Sequence, residues 1–391
     1  MNKIIGKSVT IIFIIIISMG LLCNLKNIIV GIESNWLNIK NLNISTAIDS
    51  FESQFNENLY NKMDMVDVNG AFEYLLGKKI INGVAIDDKY NLHLLSYSEE
   101  KFSKKKAEKS LKYTKKILDY SKQHGAEILY VEHPEKFDNK KSILPYKLNQ
   151  AYWKMDEYNI KELKKDNYPI LDLRDDKYKA NKFFKTDHHW TIESAFNATS
   201  AILKYLDGKM QLKNIDKTTN IDNYNVQNYP NSYLGSSGVR TGKFVVGKDD
   251  IIKVEPKFNT QIIYERYDEL GNKSWELNGK YKDTLIKQSI FNDINYNNKY
   301  SAYLYDGYIE ARLYNKLAQN KEKVLFISDS FSRPVVSFLS LNFREVRSLD
   351  PQEGRYNNSY LNYIKEYQPD IVIVMYSYNY SDKTLTVDKM K

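Results

Sequence analysis

The longest apolar stretch opens the chain. From Ser8 to Leu25 no residue is charged, with Lys3 and Lys7 ahead of it and Lys26 just behind. A run of roughly 18 uncharged apolar residues is long enough to cross a bilayer, whereas the core of a signal peptide is shorter. No small-x-small cleavage site follows, and Leu22 before Cys23 fits a lipoprotein cleavage box poorly. The lysines in front favour a cytoplasmic N-terminus. Residues 1–32 are therefore expected to be a single-pass signal anchor in the cell membrane, with a cleaved secretion signal as the alternative. Residues 33–60 read as a polar connecting segment, and residues 61–391 as one extracytoplasmic domain.

Within that domain the pattern alternates between two periods. "NGVAIDDKYNLHLL" predicts a short hairpin turning at Asp87-Asp88. "EEKFSKKKAEKSLKYTKKILDYSKQHG" carries apolar residues at helical spacing and stops at Gly125, a helix-ending residue. "AEILYVEH" is a strand closed by Pro134, residues 149–166 are helical again, and "YPILDLR" is a short buried strand. Strand, helix, strand at this spacing means parallel pairing in an α/β sheet. From Gly235 to about Tyr300, segments such as "KFVVG" and "QIIYERYDELGNKSWEL" alternate between turn signals, which predicts antiparallel strands or a β-rich insertion. The α/β pattern then returns. "EKVLFISDSFSRPVVSFLS" reads as a strand, a tight turn and a helix that tolerates Pro334 in its first turn; "NSYLNYIKEYQPD" is a helix and "IVIVMYSYN" a final strand.

Composition narrows the function classes. The chain has 391 residues, 42% of them hydrophobic and 13% aromatic, which is a folding composition. Its net charge of +8 comes from lysines spread along the whole length, and no nucleic-acid-binding motif accompanies them, so no nucleic-acid partner is expected. Cys23 is the only cysteine and lies in the apolar run. The exported part thus has no intramolecular disulfide, no thiol nucleophile and no thiolate metal site. Any nucleophile must be an oxygen.

Two segments carry candidate chemistry. Ser330, in "FISDSFS", falls where a buried strand gives way to a helix, at the sheet edge where sites of open α/β folds form. A serine there can be a helix cap, or a nucleophile beside N–H groups that stabilise an oxyanion. "KTDHHWT" supplies what such a serine requires: a histidine to take its proton and a carboxylate to orient that histidine. Asp187 and His189 are two apart and follow the "YPILDLR" strand; His188 faces the other way, Trp190 can pack beneath, and Thr191 caps the helix "IESAFNATSAILKYL". Asp-His-His as a metal site, and a histidine pair satisfied near a helix cap, are the competing readings.

"TDHHWT" followed downstream by a strand ending in "SDSFS" resembles the DHHW protein family, which is similar to the alginate O-acetyltransferases of the SGNH hydrolase-like superfamily. The early "FESQFNENLYNK…LLGKKIINGVAI", "YVEHPEKFDNKKSILP" and "YLGSSGVRTG" resemble that family's N-terminal, Pro-x-Lys and glycine-rich segments. The resemblance implies an SGNH hydrolase-like parallel sheet flanked by helices, with Ser330 as nucleophile, His189 as general base and Asp187 as orienting acid, and with no cofactor or metal. Ser328 stands where the superfamily has glycine. Gly235 and Asn379 are the candidate oxyanion or substrate-binding residues. The implied activity is O-acetylation of a polysaccharide acceptor outside the cell through an acetyl-serine, the acetyl donor being supplied by a multi-pass membrane acyltransferase. An esterase would use the same residues, and a polysaccharide-binding or assembly component could retain the fold without catalysis.

Overall fold

The computed structural model describes residues 44–95, 102–136, 143–145, 152–293, 298–351 and 360–376, together with 17–30 and four scattered positions before residue 34. Asn379 lies outside the described residues. The chain divides into two units, Met1–Phe72 and Glu73–Lys391.

In the first unit Ile44–Asn58 is helical, within the stretch read as a polar connector. Ile17, Met19, Leu21, Leu22 and Leu25 of the apolar run are about half exposed or more. Among the described residues no helix is long and apolar enough to cross a membrane, and the start of the run, residues 8–10 with 12, 13 and 16, falls outside them.

The second unit is built on strands β1 (Ile80–Ile81), β2 (Val84–Ile86), β3 (Leu92–Leu94), β4 (Glu127–Glu132), β5 (Ile170–Asp172), β6 (Tyr224–Tyr233), β7 (Asp249–Pro256), β8 (Ile262–Tyr267), β9 (Lys273–Gly279), β10 (Glu310–Asn315), β11 (Asn320–Ser328), β12 (Phe343–Leu349) and β13 (Ile371–Met375). Eight of them form one sheet in the order β5-β4-β13-β11-β12-β10-β8-β9. The first five are mutually parallel and the last three run antiparallel.

The parallel strands are covered on both faces, which is why they read as unbroken apolar runs. Successive side chains point to opposite sides. Val324 and Phe326 of β11, with Leu129, Val131, Ile371 and Ile373, pack with helices α3 (Ile192–Met210) and α5 (Arg333–Leu339). Leu325 and Ile327, with Ile128, Tyr130, Val372 and Val374, pack with α1 (Lys104–Gln123), α2 (Tyr152–Lys165) and α6 (Tyr360–Tyr367). Thr191 caps α3 by accepting from the Ser194 N–H, and Gly125 turns out of α1 at φ +87°.

Two expectations about the region 235–300 change. Its antiparallel strands are present but do not stand apart as an insertion: β8 and β9 extend the main sheet through β10, while β6 and β7 pair apart from it. "KFVVG" is not a strand either. Lys243–Val246 is one helical turn between Gly242 at φ +88° and Gly247 at φ +80°, so the chain reverses at both ends before a strand can extend.

Candidate active site

β11 ends at Ser328, Asp329 caps a single helical turn by accepting from the Phe331 N–H at 3.0 Å, and Ser330 opens that turn at the carboxyl edge of the sheet. Ser328, in the place of the expected glycine, is accommodated: its hydroxyl spans the turn to Ser332 Oγ at 2.5 Å. Ser330 is 8% exposed, so its hydroxyl sits at the rim of the core.

The histidine and aspartate arrive by a long connection. After β5 the chain crosses the sheet edge and forms a bridge between Phe183 and Trp190 that pinches off the loop between them. His189 Nε2 lies 2.8 Å from Ser330 Oγ, and its Nδ1 lies 2.6 Å from Asp187 Oδ1. Asp187 also accepts the His189 backbone N–H at 2.9 Å. With Nδ1 donating to the carboxylate, Nε2 carries the lone pair that faces the serine. The imidazole is clamped between the Tyr300 ring, stacked at 4.0 Å and 15°, and the His188 ring at 3.9 Å. Below it, Trp190 is fully buried, and both its indole N–H and the Tyr300 hydroxyl donate to the Phe331 carbonyl.

His188 turns away from the serine: its Nδ1 meets Ser236 Oγ at 3.1 Å.

Charge states follow from burial. Burial opposes ionisation of Asp187, but the neighbouring His188 and His189 rings and the N–H groups it accepts outweigh this and hold its carboxyl well below the usual carboxylate range. Burial lowers His189 below an ordinary imidazole, opposed by the Asp187 charge and assisted by Arg333. It is therefore neutral near pH 7, the form that can accept a proton. Burial and the adjacent His189 push His188 down as well.

At this point the fold and site can be set beside known proteins. No protein-family model matches the sequence, and no curated protein does. Solved structures do match. Bacillus cereus PatB1 with a sulfonyl adduct superposes at TM-score 0.60 and 20% identity, over 76% of this chain and 95% of that one. A DHHW family protein from Eubacterium siraeum superposes at TM-score 0.58 and 13% identity, over 79% of this chain and 97% of its own.

This chain shares the fold of these two proteins.

Within that fold the glycine-rich segment does something sequence reasoning did not assign. Gly235, a candidate oxyanion or substrate-binding residue, has its N–H already donating to Thr186 Oγ1 at 2.8 Å. A Cβ on Gly235 would stand 2.3 Å from Asp187 Cβ and 2.6 Å from its Oδ2, so the glycine is there to let the acid approach. The next residues complete the cradle: Ser236 N–H donates to Asp187 Oδ2 at 2.6 Å, and the Ser237 and Gly238 N–H groups to the Thr186 carbonyl. Asp249 on β7 holds the loop from the other side, accepting from the Lys185 N–H, the Thr186 N–H and the Thr186 hydroxyl at 2.5–2.8 Å. Among the described residues the Ser330 N–H is a further candidate donor for an oxyanion, since the first N–H of a helical turn has no partner within it.

The metal reading meets an obstacle in the same contacts. Asp187, His188 and His189 bring possible ligand atoms within 4.8 Å of one another. Yet both nitrogens of His189 and both oxygens of Asp187 already have protein partners, so an ion would have to displace them.

Proposed function

We propose that this chain is an extracytoplasmic serine O-acyltransferase that acetylates a polysaccharide through an acetyl-serine on Ser330. One observation carries the reading: His189 Nε2 at 2.8 Å from Ser330 Oγ, with Nδ1 at 2.6 Å from a buried carboxylate. Ser330 Oγ attacks the acetyl carbonyl while its proton passes to His189 Nε2, and Asp187 stabilises the imidazolium that results. The leaving group departs with that proton. A sugar hydroxyl then gives its proton to His189 and attacks the acetyl-serine, and Ser330 Oγ leaves with that proton from His189 Nε2. The Ser330 N–H faces the developing oxyanion in both halves.

The sequence resemblance to the alginate O-acetyltransferases favours transfer over hydrolysis, because the site itself serves either. The same resemblance supports a multi-pass membrane acyltransferase as source of the acetyl group. The exposed apolar side chains between Ile17 and Leu25 support a membrane anchor that holds the domain near such a partner.

The test is partition. The domain is incubated with an activated acetyl ester and increasing oligosaccharide acceptor. Acetylated sugar should appear as free acetate declines, at a rate unchanged by chelators. Acetate release that no acceptor diverts, with rapid cleavage of acetylated polymer, would make the protein an esterase instead.

A further inference from the structure

Pro134-Glu135-Lys136 leaves the carboxyl end of β4 beside the loop that carries the acid and base. Lys136 Nζ lies 2.8 Å from the Leu92 carbonyl, 2.8 Å from the Lys185 carbonyl and 2.7 Å from the Asp187 carbonyl. An ammonium has three protons and no acceptor, so three carbonyls use all of it. Two of them flank Thr186 within the loop and the third lies on β3, whose Leu92 N–H also donates to the Lys185 carbonyl at 2.9 Å. The lysine therefore joins β3 to the residue that orients His189.

We propose that Lys136 is a positioning residue for the Asp187–His189 pair, and that loss of its proton loosens the loop and slows acyl capture by Ser330. This rests on the reading of Ser330 as nucleophile. When the ammonium gives a proton to water, the amine keeps two N–H groups and gains a lone pair. One of the three carbonyls then faces a lone pair and repels it.

Burial pushes the Lys136 ammonium down to about 8, against the opposing pull of Asp187, Asp249 and Asp87. The groups facing it are Asp87 and His93 from the β2–β3 hairpin, Asp187 and His188 from the loop, and Asp249 from β7. Hydrogen bonds from His93 and Asn91 outweigh burial and hold Asp87 near 2, while burial keeps His93 and His188 neutral. The Asp87 and Asp187 carboxyls ionise far below this range, whereas burial and the Glu132 and Asp329 charges push Glu135, beside Lys136 in the chain, up to about 8 as well. Lys136 and Glu135 therefore both change charge as the solution turns mildly alkaline, and Lys136→Arg tells them apart because it leaves Glu135 in place.

The experiment is the rate of Ser330 sulfonylation by phenylmethanesulfonyl fluoride from about pH 5 to 10, corrected for reagent hydrolysis. The wild type should rise as His189 loses its proton and fall again with an apparent pKa near 8. Lys136→Arg keeps its charge throughout, so the alkaline fall should vanish whatever its absolute rate. Lys136→Met should also lack the fall and sit about 10–100-fold below wild type at neutral pH, the cost of a misplaced base. The wild-type rate at high pH should converge on that of Lys136→Met. A wild-type rate that stays level to pH 10, an alkaline fall that persists in Lys136→Arg, or a Lys136→Met rate equal to wild type overturns the proposal. Should Lys136→Met fail to fold, the wild-type and Lys136→Arg profiles decide alone. Labelling of Ser330→Ala as fast as wild type would instead reject Ser330 as nucleophile, a separate failure.

Discussion

Ser330 and His189 reach the same point by different means. The serine is set by regular structure: β11 is buried on both faces, ends at Ser328, and one capped turn later presents the hydroxyl. The histidine stands on an irregular loop that no ladder supports. The loop is held instead by Asp249, which accepts from Thr186, by the Gly235 and Ser236 N–H groups, which donate to Thr186 and Asp187, and by the Tyr300 ring stacked on His189, all from distant parts of the chain. The Ser330 turn is therefore expected to tolerate local change that the Asp187–His189 loop does not.

The harshest test of that difference is Gly235→Ala. Its methyl would overlap Asp187, so the acid must move and take His189 with it. Sulfonylation of Ser330 should fall by about 100-fold or more, and the melting temperature should drop as in other overpacked cores. Asp249→Asn comes next. It keeps the shape but loses the charge and one of the acceptor oxygens that serve three donors. Bonds to charged groups contribute about 1.5–3 kcal/mol, so a loss of at least about tenfold in labelling rate is expected.

A smaller effect is a shift in pH. Burial lowers His189 and the Asp187 charge raises it, so the acid limb of activity should lie below the ordinary imidazole range. Asp187→Asn removes the raising influence. Its acid limb should lie at still lower pH, on a slower overall profile. An acid limb moving upward would contradict the assigned pairing. Smallest should be Ser328→Gly at the nucleophile's own turn, which loses the Ser332 contact and about 0.5–1 kcal/mol of strand stability while labelling stays close to wild type. If Ser328→Gly proved as damaging as Gly235→Ala, the contrast between the two regions would collapse.

The same contrast explains what could be read from the sequence. "VLFI", "EILYV" and "IVIVM" announce buried parallel strands because both faces are apolar, and the strand–serine–helix junction follows from them. Asp187 and His189 are close in sequence, so their pairing was legible too. β10 and β12 were not. Their charges, such as Arg312 with Glu310 and Arg347 with Glu345, break the apolar pattern, and each guanidinium is instead satisfied by its pair and by an aromatic ring, Tyr267 or Tyr367. Asp249, Ser236 and Tyr300 were equally hidden, since each meets the loop only after folding. The role of Gly235 needed coordinates as well. A glycine in a loop signals a turn or a close approach, and which one depends on what comes near.

Acyl groups are expected to pass through Ser330. The most direct measurement of this is mass spectrometry of the domain quenched shortly after mixing with an activated acetyl ester. A single acetyl on the peptide containing Ser330 is expected, lost in Ser330→Ala and strongly suppressed in His189→Ala. Turnover that continues undiminished in Ser330→Ala, or an acetyl found reproducibly on another residue in its place, would contradict the account.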